Sequence, residues 1–166
     1  MKYLTKSFLT AFILLFIFSC TNDDDGDFFS NQVDAMIFSS PFLSFSPCND
    51  ACFTSYRIGK NKLEVSRSVE YFNGDIAFNS PNELSAEDYQ RIKSILGSIP
   101  PELVLGNAKT FGCPNCADQG GFFVKLFING KSKIYIIDTS DTADQSQAVI
   151  SFKNRIREAL QSLGSF

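Results

Sequence analysis

The sequence predicts an α+β fold, an antiparallel β-sheet with two helices packed on one face, built as a ββα-ββα pseudo-repeat. Three observations point there. Two stretches alternate apolar and polar residues around a turn carrying Gly or Asn. Each is followed by a segment whose apolar residues recur at helical spacing. The chain has 166 residues, 44% hydrophobic and 20% charged, which suits one domain with a real core and excludes wholesale disorder.

The first hairpin is read from Phe53–Ile58 and Lys62–Arg67 around Gly59-Lys60-Asn61. Val69 to Phe72, Asn73-Gly74-Asp75 and Ile76 to Phe78 either extend that strand or add a short hairpin. Ser85-Ala86-Glu87-Asp88 then opens a helix with a capping-box-like start. Its stripe is Tyr89, Ile92, Leu96 and Ile99, and Gly97 with Pro100-Pro101 brackets its end. The second half repeats the order: a strand over Phe122–Ile128, the turn Asn129-Gly130, and a return over Lys131–Asp138. A second helix is expected after a Thr142-Ala143-Asp144-Gln145 cap, with Val149, Phe152, Ile156, Leu160 and Leu163 facing the core. Lys153, Asn154, Arg155, Glu158 and Gln161 are assigned to its solvated face. Asp138, Asp141 and Asp144 are expected to cap that helix and complement its dipole, a weak cation site being the alternative. Upstream, Met36-Ile37-Phe38, Phe42-Leu43 and Phe45, punctuated by Pro41 and Pro47, are expected as an edge strand or core flap, an exposed binding patch being the alternative.

The amino end is an address. Lys2 and Lys6 precede the apolar run Phe8–Phe18, shorter than the roughly 20 residues of a spanning helix, and Ser19-Cys20 follows. Ile17, Ser19 and Cys20 resemble the lipobox of bacterial lipoproteins. That resemblance implies cleavage after Ser19 and acylation of Cys20. The acidic cluster Asp23-Asp24-Asp25-Gly26-Asp27 behind it resembles the surface-export signal of Bacteroidetes-type lipoproteins. An EF-hand reading fails, because its sixth and twelfth positions hold Phe28 and Asp34. The expected organisation is a signal peptide over 1–19, an acylated acidic tether over 20–35 and one α+β domain over 36–166. Localisation is expected in the cell envelope as an outer-membrane lipoprotein facing away from the cytoplasm.

Four further cysteines come in two clusters, Cys48 with Cys52 and Cys113 with Cys116 in Cys-Pro-Asn-Cys. An even count in an exported chain favours disulfides, and the sequence leaves their connectivity open. Cys-Pro-Asn-Cys superficially resembles the motif of thioredoxin-like oxidoreductases. That chemistry wants its first cysteine at a helix N-terminus, whereas this motif runs towards a strand. Four thiolates closing a zinc shell is the third reading, weakened by Ala117 where a zinc knuckle carries glycine.

The chain has no histidine, which removes Ser-His, Cys-His and His-metal chemistry. Its net charge of −3 becomes −5 once Lys2 and Lys6 leave with the signal peptide, which argues against nucleic acid as a partner. No carboxylate pair, phosphate loop or dinucleotide fingerprint stands out, and no cofactor, metal ligand or catalytic residue is nominated. The expected function is a non-catalytic binding or assembly module, held to the membrane by its lipid anchor and engaging an envelope protein or extracellular ligand. The alternatives are a thiol-disulfide oxidoreductase using Cys113 and Cys116, and an inhibitor-like module.

Overall fold

A computed structural model describes residues 32–39, 53–68, 71–72, 74–114, 116 and 120–165. These form a mixed α+β structure around a seven-stranded, mostly antiparallel sheet. The strands are β1 (Val33–Ser39), β2 (Phe53–Gly59), β3 (Leu63–Ser68), β4 (Tyr71–Phe72), β5 (Asp75–Ile76), β6 (Asn82–Glu83), β7 (Lys109–Phe111), β8 (Gly121–Ile128) and β9 (Lys131–Asp138). The sheet order is β6-β3-β2-β1-β8-β9-β7, while β4 and β5 form a separate two-stranded ladder.

Both hairpins lie where alternation placed them. β8 and β9 are joined by Asn129 (φ 50) and Gly130 (φ 75). Two successive left-handed residues give the turn whose twist matches that of the strands. β2 and β3 are joined more loosely, with the Gly59 amide donating to the Lys62 carbonyl at 3.0 Å.

The strand around Met36–Phe38 departs from expectation. It is no edge element: β1 stands in the middle, antiparallel to both β2 and β8. Its apolar run is continuous because both of its faces are buried. Met36 and Phe38 enter the larger core cluster, and Ile37 enters a second one with Ile76 and Phe123. β1 begins at Val33, within the span read as tether. Phe42, Leu43 and Phe45 lie outside the described residues.

The first helix is shorter than its stripe suggested. α1 (Ala86–Ile92) is capped by Ser85, whose Oγ accepts from the Asp88 amide at 3.1 Å, and it tightens into a 3-10 segment over Lys93–Ser98. Pro101 does not mark an end. It opens α2 (Pro101–Leu105), where a missing N–H costs nothing. α2 is then fastened to β9: Tyr135 Oη donates to the Leu103 carbonyl at 2.6 Å, and Lys133 Nζ to those of Val104 (2.5 Å) and Gly106 (2.7 Å). These bonds satisfy carbonyls that a helix end leaves open.

α3 (Gln147–Ser162) carries the stripe as expected, with Val149, Phe152, Ile156 and Leu160 buried. Its cap is corrected. Ser146, not the 142–145 segment, is the N-cap, its Oγ accepting from the Val149 amide at 3.2 Å. The larger cluster joins these side chains and Ile92, Ile95, Ile99 and Leu103 to strand residues including Tyr56, Leu63, Phe122, Leu126 and Tyr135.

Candidate functional site

Strand pairing places Phe111 of β7 and Phe122 of β8 on either side of Ile137 in β9. The chain between them must therefore turn back across the end of β9. It turns at Gly112, whose φ is +75. A Cβ there would lie 2.7 Å from Asp138 Cβ and 2.8 Å from Thr142 Cγ2, so glycine is needed for space as well as conformation.

Carboxylates take up the amides of this turn. The Gly112 N–H donates to Asp144 Oδ2 at 2.9 Å and Oδ1 at 3.1 Å, and the Cys113 N–H donates to Asp138 Oδ2 at 2.9 Å. Beyond them, the Cys116 N–H reaches the Cys113 carbonyl at 2.9 Å, and the Gly120 N–H that of Pro114 at 3.1 Å. Cys113 and Cys116 are joined by a disulfide across a Cα separation of 5.3 Å. Both cysteines are exposed while Pro114 between them is buried.

The three spaced aspartates thus do not cap α3. Asp138 holds Cys113 and, through Oδ1, the Ser140 amide at 2.9 Å. Asp144 holds Gly112 and accepts from Thr142 Oγ1 at 2.6 Å. The Thr142 hydroxyl and then the Gly112 amide keep the Asp144 carboxyl below its ordinary value.

Asp141 pairs with Lys153, which overturns the assignment of Lys153 to the solvated face. Its side chain is fully buried, and Nζ donates to Asp141 Oδ1 (2.8 Å), Gln145 Oε1 (2.7 Å) and the Ser140 carbonyl (2.8 Å). Three ammonium protons meet three acceptors, which removes most of the cost of burial. The 140–145 segment folds back onto α3, and that tertiary fact is invisible in helical spacing. Lys153 thereby braces the segment that presents Asp144 to the loop, beside Asp138 at the end of β9.

The arrangement stiffens the loop and does little to activate a thiol. The described residues after the motif lead into strand β8 and not into a helix, so Cys113 does not stand at a helix N-terminus, and its sulfur is bonded to that of Cys116. Among the described residues, no group of three or more His, Cys, Asp or Glu could hold a metal ion. Cys20, Cys48 and Cys52 lie outside the described residues. Among the described residues, no helix is long and apolar enough to cross a membrane. Spacing signalled the aspartates, but nothing local signalled that their partners are the amides of Gly112 and Cys113. Comparisons with protein-family models, with curated proteins and with solved structures returned no match.

Proposed function

We propose that this chain is a lipid-anchored cell-envelope protein whose domain recognises a partner through the surface around Gly112, Cys113 and Cys116. The observation that carries this is the double restraint around two exposed cysteines, by the Cys113–Cys116 disulfide and by the two carboxylates that hold the Gly112 and Cys113 amides. A loop fixed before binding loses little conformational entropy on binding. Acylation of Cys20 and export to the outer membrane rest on the lipobox and acidic cluster of the sequence. The finer architecture follows the same reading: two hairpins flank β1, each is followed in the chain by a helix, and both helices lie on one face as a ββα unit used twice. The shared cluster of helix and alternate-strand side chains supports it.

The test has two arms. Labelling with radioactive palmitate should mark the wild type and not Cys20→Ala. Cross-linked membranes should yield a complex that depends on the loop, lost in the Cys113→Ser/Cys116→Ser double variant. Unlabelled wild type removes the anchor, and complexes unchanged by the double variant remove the recognition role.

A further inference from the structure

A second site opens at the same end of the sheet and owes nothing to the loop. Phe38 pairs with both Tyr56 and Val124, so Tyr56 and Val124 stand level, and two residues further on lie Thr54 and Phe122. Thr54 in turn pairs with Arg67, and Tyr56 with Val65. These two cross-strand pairs, with Asn82 opposite Val65 on β6, form the floor of a cleft of about 490 Å³. Asn79-Ser80, Leu84, Asp88 and the segment that follows α3, Leu163 to Ser165, complete its lining.

The chemistry of the lining is uneven. Tyr56, Val65, Leu84 and Leu163 make an apolar strip, and the Tyr56 hydroxyl is held by Ser165 Oγ. Against that strip, the side chains of Thr54, Arg67, Asn79, Ser80 and Asn82 have no hydrogen-bonding partner among the described residues. The acid of the cleft, Asp88, is by contrast engaged, accepting from Ser85 Oγ at 2.7 Å and facing Arg91 at 3.2 Å. Ser80 also sits at φ 46, a conformation that costs free energy in a non-glycine residue and recurs where side chains are aimed at ligands.

We propose that this cleft binds a small hydroxylated carboxylate. Arg67 takes the carboxylate, the amides and hydroxyls of Asn79, Ser80, Asn82 and Thr54 take the hydroxyls, and the strip over Tyr56 and Leu84 takes the C–H face. The Arg67 guanidinium, without a partner among the described residues, sets the sign of the ligand, while the Asp88 carboxylate is turned to Ser85 and to Arg91, which it shares with Glu87. The volume is within the range of small-molecule sites.

Calorimetric titration of the detergent-solubilised full-length protein tests this, with D-glucuronate as probe and D-glucose and acetate as its two halves. Glucuronate should bind, with glucose and acetate each about tenfold or more weaker, since one lacks the charge and the other the hydroxyls. Arg67→Gln and Asn82→Ala should each weaken glucuronate while their melting curves stay at the wild-type position. The proposal is overturned by no heat at about 10 mM glucuronate, by glucose binding equally well, or by undiminished binding to Arg67→Gln. Cross-linking through the Cys113 loop is read separately, so failure of either site is distinguishable.

Discussion

The two ends of one row across the sheet are built on opposite principles. At the β7–β9 side the backbone amides of the loop are tied down: Gly112 to Asp144, Cys113 to Asp138, Cys116 to Cys113. At the β2–β3–β6 side, the side chains of Thr54, Arg67, Asn79, Ser80 and Asn82 line a cleft and have no hydrogen-bonding partner among the described residues. The first end has its hydrogen bonds inside the fold and resists change; the second leaves them available to something else. A stability assay should therefore feel the first end, and a binding assay the second.

The largest effect should come from Gly112→Ala. A positive φ combined with a Cβ driven against Asp138 and Thr142 should cost about 2–4 kcal/mol, read from urea unfolding. A loss much below that range would show that the turn is not held as described. Breaking the disulfide should matter less. Its ring is so short that Cys113→Ser/Cys116→Ser should lose at most about 2 kcal/mol on the chain-entropy model, with the carboxylate bonds still in place. A global loss of folding would make the disulfide, and not the carboxylates, the principal restraint.

Acid sharpens the contrast further. Asp144 is held below its ordinary value of 3.8, so its contribution is present above that value and fades as pH falls through the depressed one. Asp144→Asn should therefore flatten the fall in stability below about pH 4, in melting curves followed by circular dichroism. Glu64, lowered from 4.5 chiefly by its hydrogen bond from Arg57 at 2.7 Å, should give the same sign on the β2–β3 hairpin. The smallest effect belongs to the cleft. Arg67→Gln and Asn82→Ala should shift stability by no more than about 0.5 kcal/mol, because both side chains are exposed and neither has a partner to lose among the described residues. A larger loss at either position would make the cleft structural and erase the distinction between the two ends.

Legibility followed locality. The Asn129-Gly130 turn, the alternation of β8 and the stripe of α3 are properties of neighbours in the chain, and each stands where the pattern put it. The start of α3 was misplaced because Thr142, Asp144 and Ser146 are all competent caps. Only the fold-back that spends Asp144 on Gly112 selects Ser146. Lys153 was misread for a similar reason. Helical spacing gives the angle of a side chain about its axis but not what lies above it. The short parallel strand β7 left no signal, three residues being too few for a period.

The sequence by itself determined the two hairpins, the long C-terminal helix and the closeness of Cys113 to Cys116, since periodicity and turn chemistry act over a few residues. Tertiary structure alone decided that β1 is the middle strand, that Lys153 is buried, and that Asp138 and Asp144 belong to the loop. Those outcomes depend on which distant surfaces and amides meet, and pairing across 25 to 32 residues leaves no imprint on a local pattern.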